Sequence, residues 1–126
     1  MNYGWFDDST PDDEFSRTVT HEFGHALGCV HEQFNPNLHI TWNKQAVYDY
    51  FKQPQNGGWD TATVDNNFNN FVQVSGPDFK ATAFDKDCIM LYAIQSSWNQ
   101  EGISTVQKTV LSALDKTFIA AMYPPK

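Results

Sequence analysis

The stretch HEFGHALGCVHEQ, residues 21–33, holds three of the four histidines of this chain. His21 and His25 are four residues apart, so on a helix they project from one face and their imidazoles can converge on one cation. Gly28 allows the chain to reverse direction, which can return His31 to the same point as a third nitrogen ligand. Three neutral imidazoles around a zinc ion leave the fourth tetrahedral position open, which is typical of a catalytic rather than a structural metal site.

The glutamate between the first two histidines suits a catalytic role. Glu22 directly follows His21, so it can reach a water molecule at the metal without being a ligand itself. A lone histidine is more often an ordinary core or surface residue, but here the pattern H-E-x-x-H-x-x-G-x-x-H is matched at all five fixed positions. At this chain's composition a chance match is expected in roughly one chain in 10⁵. The pattern therefore predicts a metal site with Glu22 as its general base.

The composition is that of a folded globular domain that does not bind nucleic acid. The 126 residues include 40% hydrophobic and 15% aromatic residues, which is enough for one modest core. The formal net charge is −7 and the 8 lysines and arginines are scattered singly, so no basic face is predicted for nucleic acid or for an anionic membrane surface. No apolar run approaches the roughly 18 residues of a membrane span, and the first residues show no secretory signal.

Local patterns predict a short strand followed by the helix that carries the histidines. Residues 2–6 have the pattern of a strand, and Thr10 and Pro11 provide an N-cap and a first helical residue. Gly28 is placed to end this helix as a left-handed residue. The helix is expected to bury one apolar stripe, formed by Phe15, Val19, Phe23 and Ala26.

Three further helical segments are predicted downstream. Residues 44–52 place apolar side chains on one face, and residues 60–71 are a weaker helix because of their Asn and Asp content. The last helix runs from Ser112 almost to the end of the chain, whereas residues 72–110 are expected to be mostly irregular. The predicted capping residues of these helices are Asn43, Ser112 and Asp115.

A second motif accompanies the histidines. The segment DCIMLY, residues 87–92, follows the third histidine by about sixty residues and fits the methionine-containing turn that comes after the extended zinc motif in the metzincin clan. The chain resembles this clan of zinc endopeptidases, with Met90 as the turn residue that supports the site. Glu32, directly after the third histidine, and Tyr92 are similar to the astacin-like branch, in which the tyrosine is a movable fifth ligand.

The resemblance extends over nearly the whole chain. NPNLHITWNKQAVYDYF after the zinc motif and VLSALDKTFIAAMYP near the end are similar to microbial, astacin-related zinc peptidase domains. Cys29 and Leu91 depart from the aromatic residue and the histidine that many astacins carry at these positions. Apart from the resemblance, Met90 could be an apolar gap-filler and Tyr92 a core aromatic residue.

The resemblance implies an α+β, metzincin-like zincin fold, of which residues 1–126 form a single partial catalytic domain, mostly helical and loop-rich with at most a remnant of the N-terminal sheet. It implies a secreted metalloprotease, a hydrolase that uses Zn²⁺ to cleave protein or peptide substrates, with Tyr92 hydrogen-bonding the oxyanion. Because one strand cannot satisfy its own backbone, we expect an upstream sheet, preceded by a propeptide and a secretory signal. The alternatives are a minimal enzyme that rebuilds the cleft wall from residues 72–110, or two chains that share strands, so the oligomeric state is open.

Two further alternatives stand beside these expectations. The chain could be a non-catalytic zinc-binding module that keeps the metzincin fold. A site that no longer catalyses can lose its general base without structural cost, so the presence of Glu22 argues against this alternative. The resemblance also brings Cys29 and Cys88 close together beneath the metal. They could form a disulfide bridge there or be two buried free thiols.

Overall fold

The computed structural model describes residues 3–126 and divides the chain into two compact units. The first unit comprises the chain up to Glu32 together with two later segments, Asp85–Tyr92 and Val106–Lys126. The second unit comprises Gln33–Phe84 and Ala93–Thr105. The histidine motif and the methionine turn therefore belong to the same unit, although they are far apart in the sequence.

The described residues form four α-helices joined by loops and short 3₁₀ turns. The α-helices are α1 at Asp12–Ala26, α2 at Lys44–Phe51, α3 at Thr61–Asn67 and α4 at Ala113–Met122. The 3₁₀ turns are at Glu32–Phe34, Pro54–Asn56, Asn69–Phe71 and Ser96–Trp98. Residues 72–110 are otherwise irregular, as predicted, and no helix of the described residues is long and apolar enough to cross a membrane.

Residues 3–126 contain no strand, and their β-type pairing is confined to an isolated antiparallel bridge between Trp42 and Asn99. The strand predicted at residues 2–6 is wrong over the part that the structure describes, and residue 2 lies outside the described residues. Tyr3 to Phe6 form a turn instead, closed by a 3.0 Å hydrogen bond from the Phe6 N–H to the Tyr3 carbonyl. A lone strand has no partner for its backbone groups. The described residues are mostly helical and loop-rich, as expected, and the correction to the α+β class is that the remnant of a sheet is absent from them.

Helix α1 begins one residue later than predicted. Pro11 is the N-cap and makes no side-chain capping bond. The Thr10 hydroxyl, which was expected to cap the helix, accepts a 2.9 Å hydrogen bond from the Asp7 N–H in the preceding turn. The positive end of the helix is instead stabilised by the acidic residues of its first turn, Asp12, Asp13 and Glu14.

The end of α1 confirms the predicted role of Gly28. Its φ is 88°, a left-handed conformation that glycine adopts without the strain of a side chain. The Gly28 N–H donates to the His25 carbonyl and the Cys29 N–H donates to the Gly24 carbonyl, both at 2.9 Å. These two bonds satisfy the last carbonyls of the helix and reverse the chain directly after it.

The buried face of α1 is not the predicted apolar stripe. Phe23 is 56% exposed, whereas His21 is only 8% exposed and Thr18 is also buried. Positions two residues apart on a helix differ by about 200°, so Phe23 points away from the face that carries His21. Hydrogen bonding of the His21 imidazole to a backbone carbonyl makes its burial acceptable. Of the four predicted stripe residues, Phe15 and Val19 are half-buried, and Phe23 and Ala26 are exposed.

In the second unit, α2 and α3 contribute two fully buried valines, Val47 and Val64. The Asn43 side chain caps α2 by accepting a backbone N–H at 3.3 Å, as predicted. The Asp60 side chain caps α3 in the same way at 2.8 Å. The weakly predicted helix in residues 60–71 is therefore confirmed over the range of α3. The buried aromatic residues of this unit are Phe34, Phe68, Phe71 and Trp98.

Candidate metal centre

Three histidines converge at the end of α1. His21 and His25 project from one face of the helix, and the reversal after Gly28 returns His31 to them. The Nε2 atom of His31 lies 3.2 Å from that of His21 and 3.1 Å from that of His25. All three ligand atoms lie within 4.8 Å of one another. The structure therefore brings together the three residues that the sequence pattern selected.

The spacing of these nitrogens fits a tetrahedral metal ion. With zinc–nitrogen bonds of about 2.0–2.1 Å, two nitrogen ligands of a tetrahedron are about 3.3–3.4 Å apart. The separations of 3.1 and 3.2 Å around His31 require outward shifts of only a few tenths of an ångström. The set of His21, His25 and His31 could therefore hold a metal ion.

Backbone carbonyls orient two of the three imidazoles. The Nδ1–H of His21 donates to the Ile89 carbonyl at 2.9 Å, and the Nδ1–H of His25 donates to the Cys29 carbonyl at 3.0 Å. A carbonyl oxygen can only accept, so each Nδ1 carries the proton and each Nε2 is left with a free lone pair. Such hydrogen bonds hold the ring orientation and the tautomer that a metal ligand needs.

The surroundings of His21 and His31 lower the pKa values of these two imidazoles. Burial is the main cause that lowers the pKa of His21. Burial, followed by the charges of His25 and His21, lowers the pKa of His31 to about 3. A proton and a metal ion compete for the same lone pair, so a lowered pKa leaves the nitrogens available to a cation near neutral pH.

Tyr92 and Glu22 lie in the electrostatic field of this cluster. The Tyr92 ring centroid is 4.2 Å from that of His31, with the planes tilted by 41°. Burial raises the pKa of the Tyr92 hydroxyl, and the negative charge of Glu22 raises it further. The charge of Glu22 also acts to raise the pKa of His21. Both predicted catalytic residues therefore interact with the histidine site, and the Tyr92 hydroxyl is held in its protonated, hydrogen-bond-donating form.

Met90 lies against the helix that carries two of the histidines. It is 3% exposed, and a Cβ added to Gly24 would lie 2.3 Å from the Met90 sulfur. The thioether thus occupies the space that a side chain at position 24 would fill. Two backbone carbonyls of this turn also bond the segment that carries the histidines. The Ile89 carbonyl accepts from the His21 Nδ1–H, and the Met90 carbonyl accepts from the Glu32 N–H at 3.1 Å.

Both cysteines are free thiols, so the hypothetical bridge between them is not formed. Burial, followed by a hydrogen bond to the Asp115 carboxylate, strongly raises the pKa of Cys88. Burial also raises the pKa of Cys29. Neither thiol is activated as a nucleophile, because activation requires a lowered pKa.

Two residues that contribute to this region were not singled out as parts of the site from the sequence. Gly24 carried a signal, because glycine inside a helix costs about 1 kcal/mol relative to alanine and often marks a close approach. Asp115 carried none, since its predicted role as a helix cap already accounted for it. Its carboxylate also accepts the Ile89 N–H, a contact between residues 26 positions apart.

Comparison with solved structures relates the chain to myroilysin. One structure of myroilysin is 48% identical, with a TM-score of 0.89, over 100% of this chain and 60% of that chain. A second structure of myroilysin is 47% identical, with a TM-score of 0.58, over 99% of this chain and 53% of that chain. The chain therefore spans less than two thirds of the length of both of these myroilysin structures. No protein-family model matches the chain, and the search of curated proteins gave no match.

Proposed function

We propose that this chain is a zinc-dependent endopeptidase that hydrolyses peptide bonds at the His21, His25 and His31 site. The observation that carries the proposal is the convergence of three Nε2 atoms whose rings are oriented by backbone hydrogen bonds. An all-imidazole set suits zinc, and three protein ligands leave a coordination position open, as in catalytic zinc sites. A closed structural site would have a fourth protein ligand, usually cysteine.

When bound, zinc would supply Lewis acidity, lowering the pKa of a water molecule at the site and polarising the scissile carbonyl. The carboxylate of Glu22 accepts a proton from the attacking water as the new C–O bond forms. It returns that proton to the amine nitrogen as the C–N bond breaks, so it acts first as base and then as acid. The second proton of the water also passes to the amine, so the products are a carboxylate and an ammonium group, and the Glu22 carboxylate is regenerated.

In this proposal Tyr92 assists the same reaction. Burial and the Glu22 charge raise the pKa of its hydroxyl, so the O–H remains a donor throughout the neutral range. A hydrogen bond from this donor to the oxyanion of the tetrahedral intermediate stabilises the transition state more than the ground state. Its ring lies against that of His31, with 4.2 Å between the ring centroids, and this contact supports a role for Tyr92 at the histidine site.

The clan and the location are part of this proposal. The order of the zinc motif, Glu32, Met90 and Tyr92 resembles the astacin-like metzincins, with residues 1–126 as part of one catalytic domain. The likeness to myroilysin over the full chain supports a shared fold. A protein or peptide substrate and an extracellular location follow from the resemblance of these motifs.

The test measures metal content and hydrolysis separately. Zinc per chain is determined by mass spectrometry, and cleavage of unfolded casein is followed with and without a chelator. We expect one zinc per chain, lost in His25→Ala but kept in His39→Ala, the matched control because His39 is an exposed histidine outside the triad. Glu22→Gln should keep zinc and lower the rate by about 10³-fold or more, because an amide cannot accept the proton.

Each contrary result identifies a different error. A wild-type chain without bound zinc contradicts the metal assignment. A Glu22→Gln variant that cleaves casein at the wild-type rate contradicts the general base. A chain that binds zinc with the expected histidine dependence but never cleaves would be the non-catalytic zinc-binding module instead.

A further inference from the structure

The N-terminus of α4 is hydrogen-bonded to the segment of residues 85–90, which contains Met90. Ser112 and Asp115 form a reciprocal capping box, in which the Ser112 hydroxyl accepts the Asp115 N–H at 2.9 Å and Asp115 accepts the Ser112 N–H at 2.9 Å. The same Asp115 oxygen, Oδ2, also accepts the Ile89 N–H at 3.0 Å. One carboxylate oxygen therefore serves a helix cap and a separate segment of chain.

Ile89 connects this carboxylate to the metal site. Its N–H donates to Asp115, and its carbonyl accepts the Nδ1–H of His21 at 2.9 Å. Ile89 is 4% exposed, so water has little access to replace a lost partner. A displacement of the Ile89 backbone would move the carbonyl that orients the His21 ring, and a rotated ring would move Nε2 away from the point shared with the other histidines.

The rest of the turn is held by bonds that leave Ile89 dependent on Asp115. The Ser112 hydroxyl donates to Asp85 Oδ2 at 2.5 Å, and the Asp85 N–H donates to Glu32 Oε1 at 2.9 Å. These bonds secure the start of the turn, and the Glu32 N–H secures its Met90 carbonyl. Between these two points, the Ile89 N–H donates to the Asp115 carboxylate, to which the Cys88 thiol is also hydrogen-bonded.

We propose that Asp115 is a positioning residue for the metal site, acting through Ile89 on the orientation of His21. The proposal rests on the zinc site of the proposed function but not on peptide hydrolysis. An ordinary cap would use the carboxylate for its own helix only, as Asp60 does at α3 through the Thr63 N–H. Asp115 performs that task and in addition holds the residue that orients a metal ligand.

The test compares the zinc affinity of two kinds of variant. Both lose a helix cap, but only one also loses the hydrogen bond from the Ile89 N–H to residue 115. The dissociation constant for zinc is measured by competition with a chromophoric chelator in wild type, Asp115→Ala, Asp115→Asn and Asp60→Ala. We expect Asp115→Ala to raise this Kd about tenfold or more, as for other outer partners of metal ligands. Asp115→Asn should stay within about threefold, because its amide oxygen can accept both N–H groups. Asp60→Ala, the matched control, should also stay within about threefold, since it loses a cap elsewhere.

A spectroscopic readout on zinc-free protein separates positioning from general stability. Long-range proton–nitrogen NMR correlations report which imidazole nitrogen carries the proton. We expect His21 to be protonated at Nδ1 alone in wild type, Asp60→Ala and Asp115→Asn. In Asp115→Ala we expect a mixture of the two tautomers. If Asp115→Ala does not fold, Asp115→Ser is used, since its hydroxyl is too short to reach the Ile89 N–H while remaining polar.

The proposal is overturned if Asp115→Ala, or Asp115→Ser in its place, keeps the wild-type zinc affinity and the wild-type His21 tautomer. It is also overturned if Asp60→Ala weakens zinc binding as much as Asp115→Ala, because the effect would then be one of stability. Failure of the proposed function looks different. A chain that binds zinc with the expected dependence on Asp115 but does not cleave casein would contradict the peptidase assignment alone.

Discussion

Replacing Gly24 by alanine tests the close contact between α1 and the methionine turn. The Cβ of an alanine at position 24 would lie 2.3 Å from the sulfur of Met90 and 3.2 Å from its methyl carbon. Favourable contacts between such atoms are about 3.5–4.0 Å long. The Met90 sulfur would therefore have to move by more than about 1 Å.

Two opposing effects decide the size of the change. Alanine in place of glycine inside a helix is worth about 1 kcal/mol in favour of the folded state. Overpacking a buried contact typically costs about 1–3 kcal/mol. Met90 is 3% exposed and has little room to retreat, so we expect the overpacking cost to exceed the gain in helix propensity. The Gly24→Ala variant should lose up to about 2 kcal/mol of unfolding free energy.

The assay is a double-mutant cycle with Met90→Ala, measured by urea denaturation of zinc-free protein. Met90→Ala alone should destabilise by about 2–5 kcal/mol because it leaves a cavity. In that background the sulfur is gone, so Gly24→Ala should become stabilising by about 0.5–1 kcal/mol. The sign of the Gly24→Ala effect should therefore reverse between the two backgrounds. A coupling energy within about 0.3 kcal/mol of zero would refute the contact as a constraint on the turn.

Three further outcomes are expected. The stability of zinc-free protein should fall as the pH is lowered from 6.5 towards 3. In this range His31 binds a proton in the unfolded chain but not in the folded chain, where its pKa is about 3. The loss should be about 1.4 kcal/mol between pH 7.5 and 5.5 in urea titrations, and an equal loss in His31→Asn would contradict this origin. Tyr92→Phe should keep zinc and lower kcat by about 10²-fold, less than Glu22→Gln, and an unchanged kcat would remove Tyr92 from the reaction. Thiol titration of the denatured, unreduced chain should give two free thiols, with Cys88 reacting only after unfolding. A count of zero would show a disulfide in the protein.

The parts of the site that the sequence predicted correctly depend on short spacings along one chain segment. A spacing of four residues places His21 and His25 on one face of any helix. Gly28 ends the helix because it adopts φ of 88° without strain. Such relations need no knowledge of the remaining chain, which is why the histidine triad and the capped helices α2 and α4 could be predicted.

The predictions that failed concern which partner a segment finds. The stripe containing Phe23 had the periodicity of a buried face, yet Phe23 is exposed and His21 is buried. Periodicity shows that a helix has two faces, but the face that packs inward depends on the segment against it. Residues 2–6 had the composition of a strand, but a strand needs a neighbouring strand for its hydrogen bonds, and residues 3–126 provide none.

The amino-acid sequence by itself determined the helix that carries the ligands, its left-handed end and the three nitrogens of the metal site, because each depends on interactions within about ten residues. The tertiary structure alone decided what holds those nitrogens in place. The His21 ring bonds a carbonyl 68 positions away, and that residue bonds a carboxylate 26 positions further along. Contacts of this kind leave no periodicity or fixed spacing in the sequence. They form only when separate segments pack together and each buried polar group must find a partner.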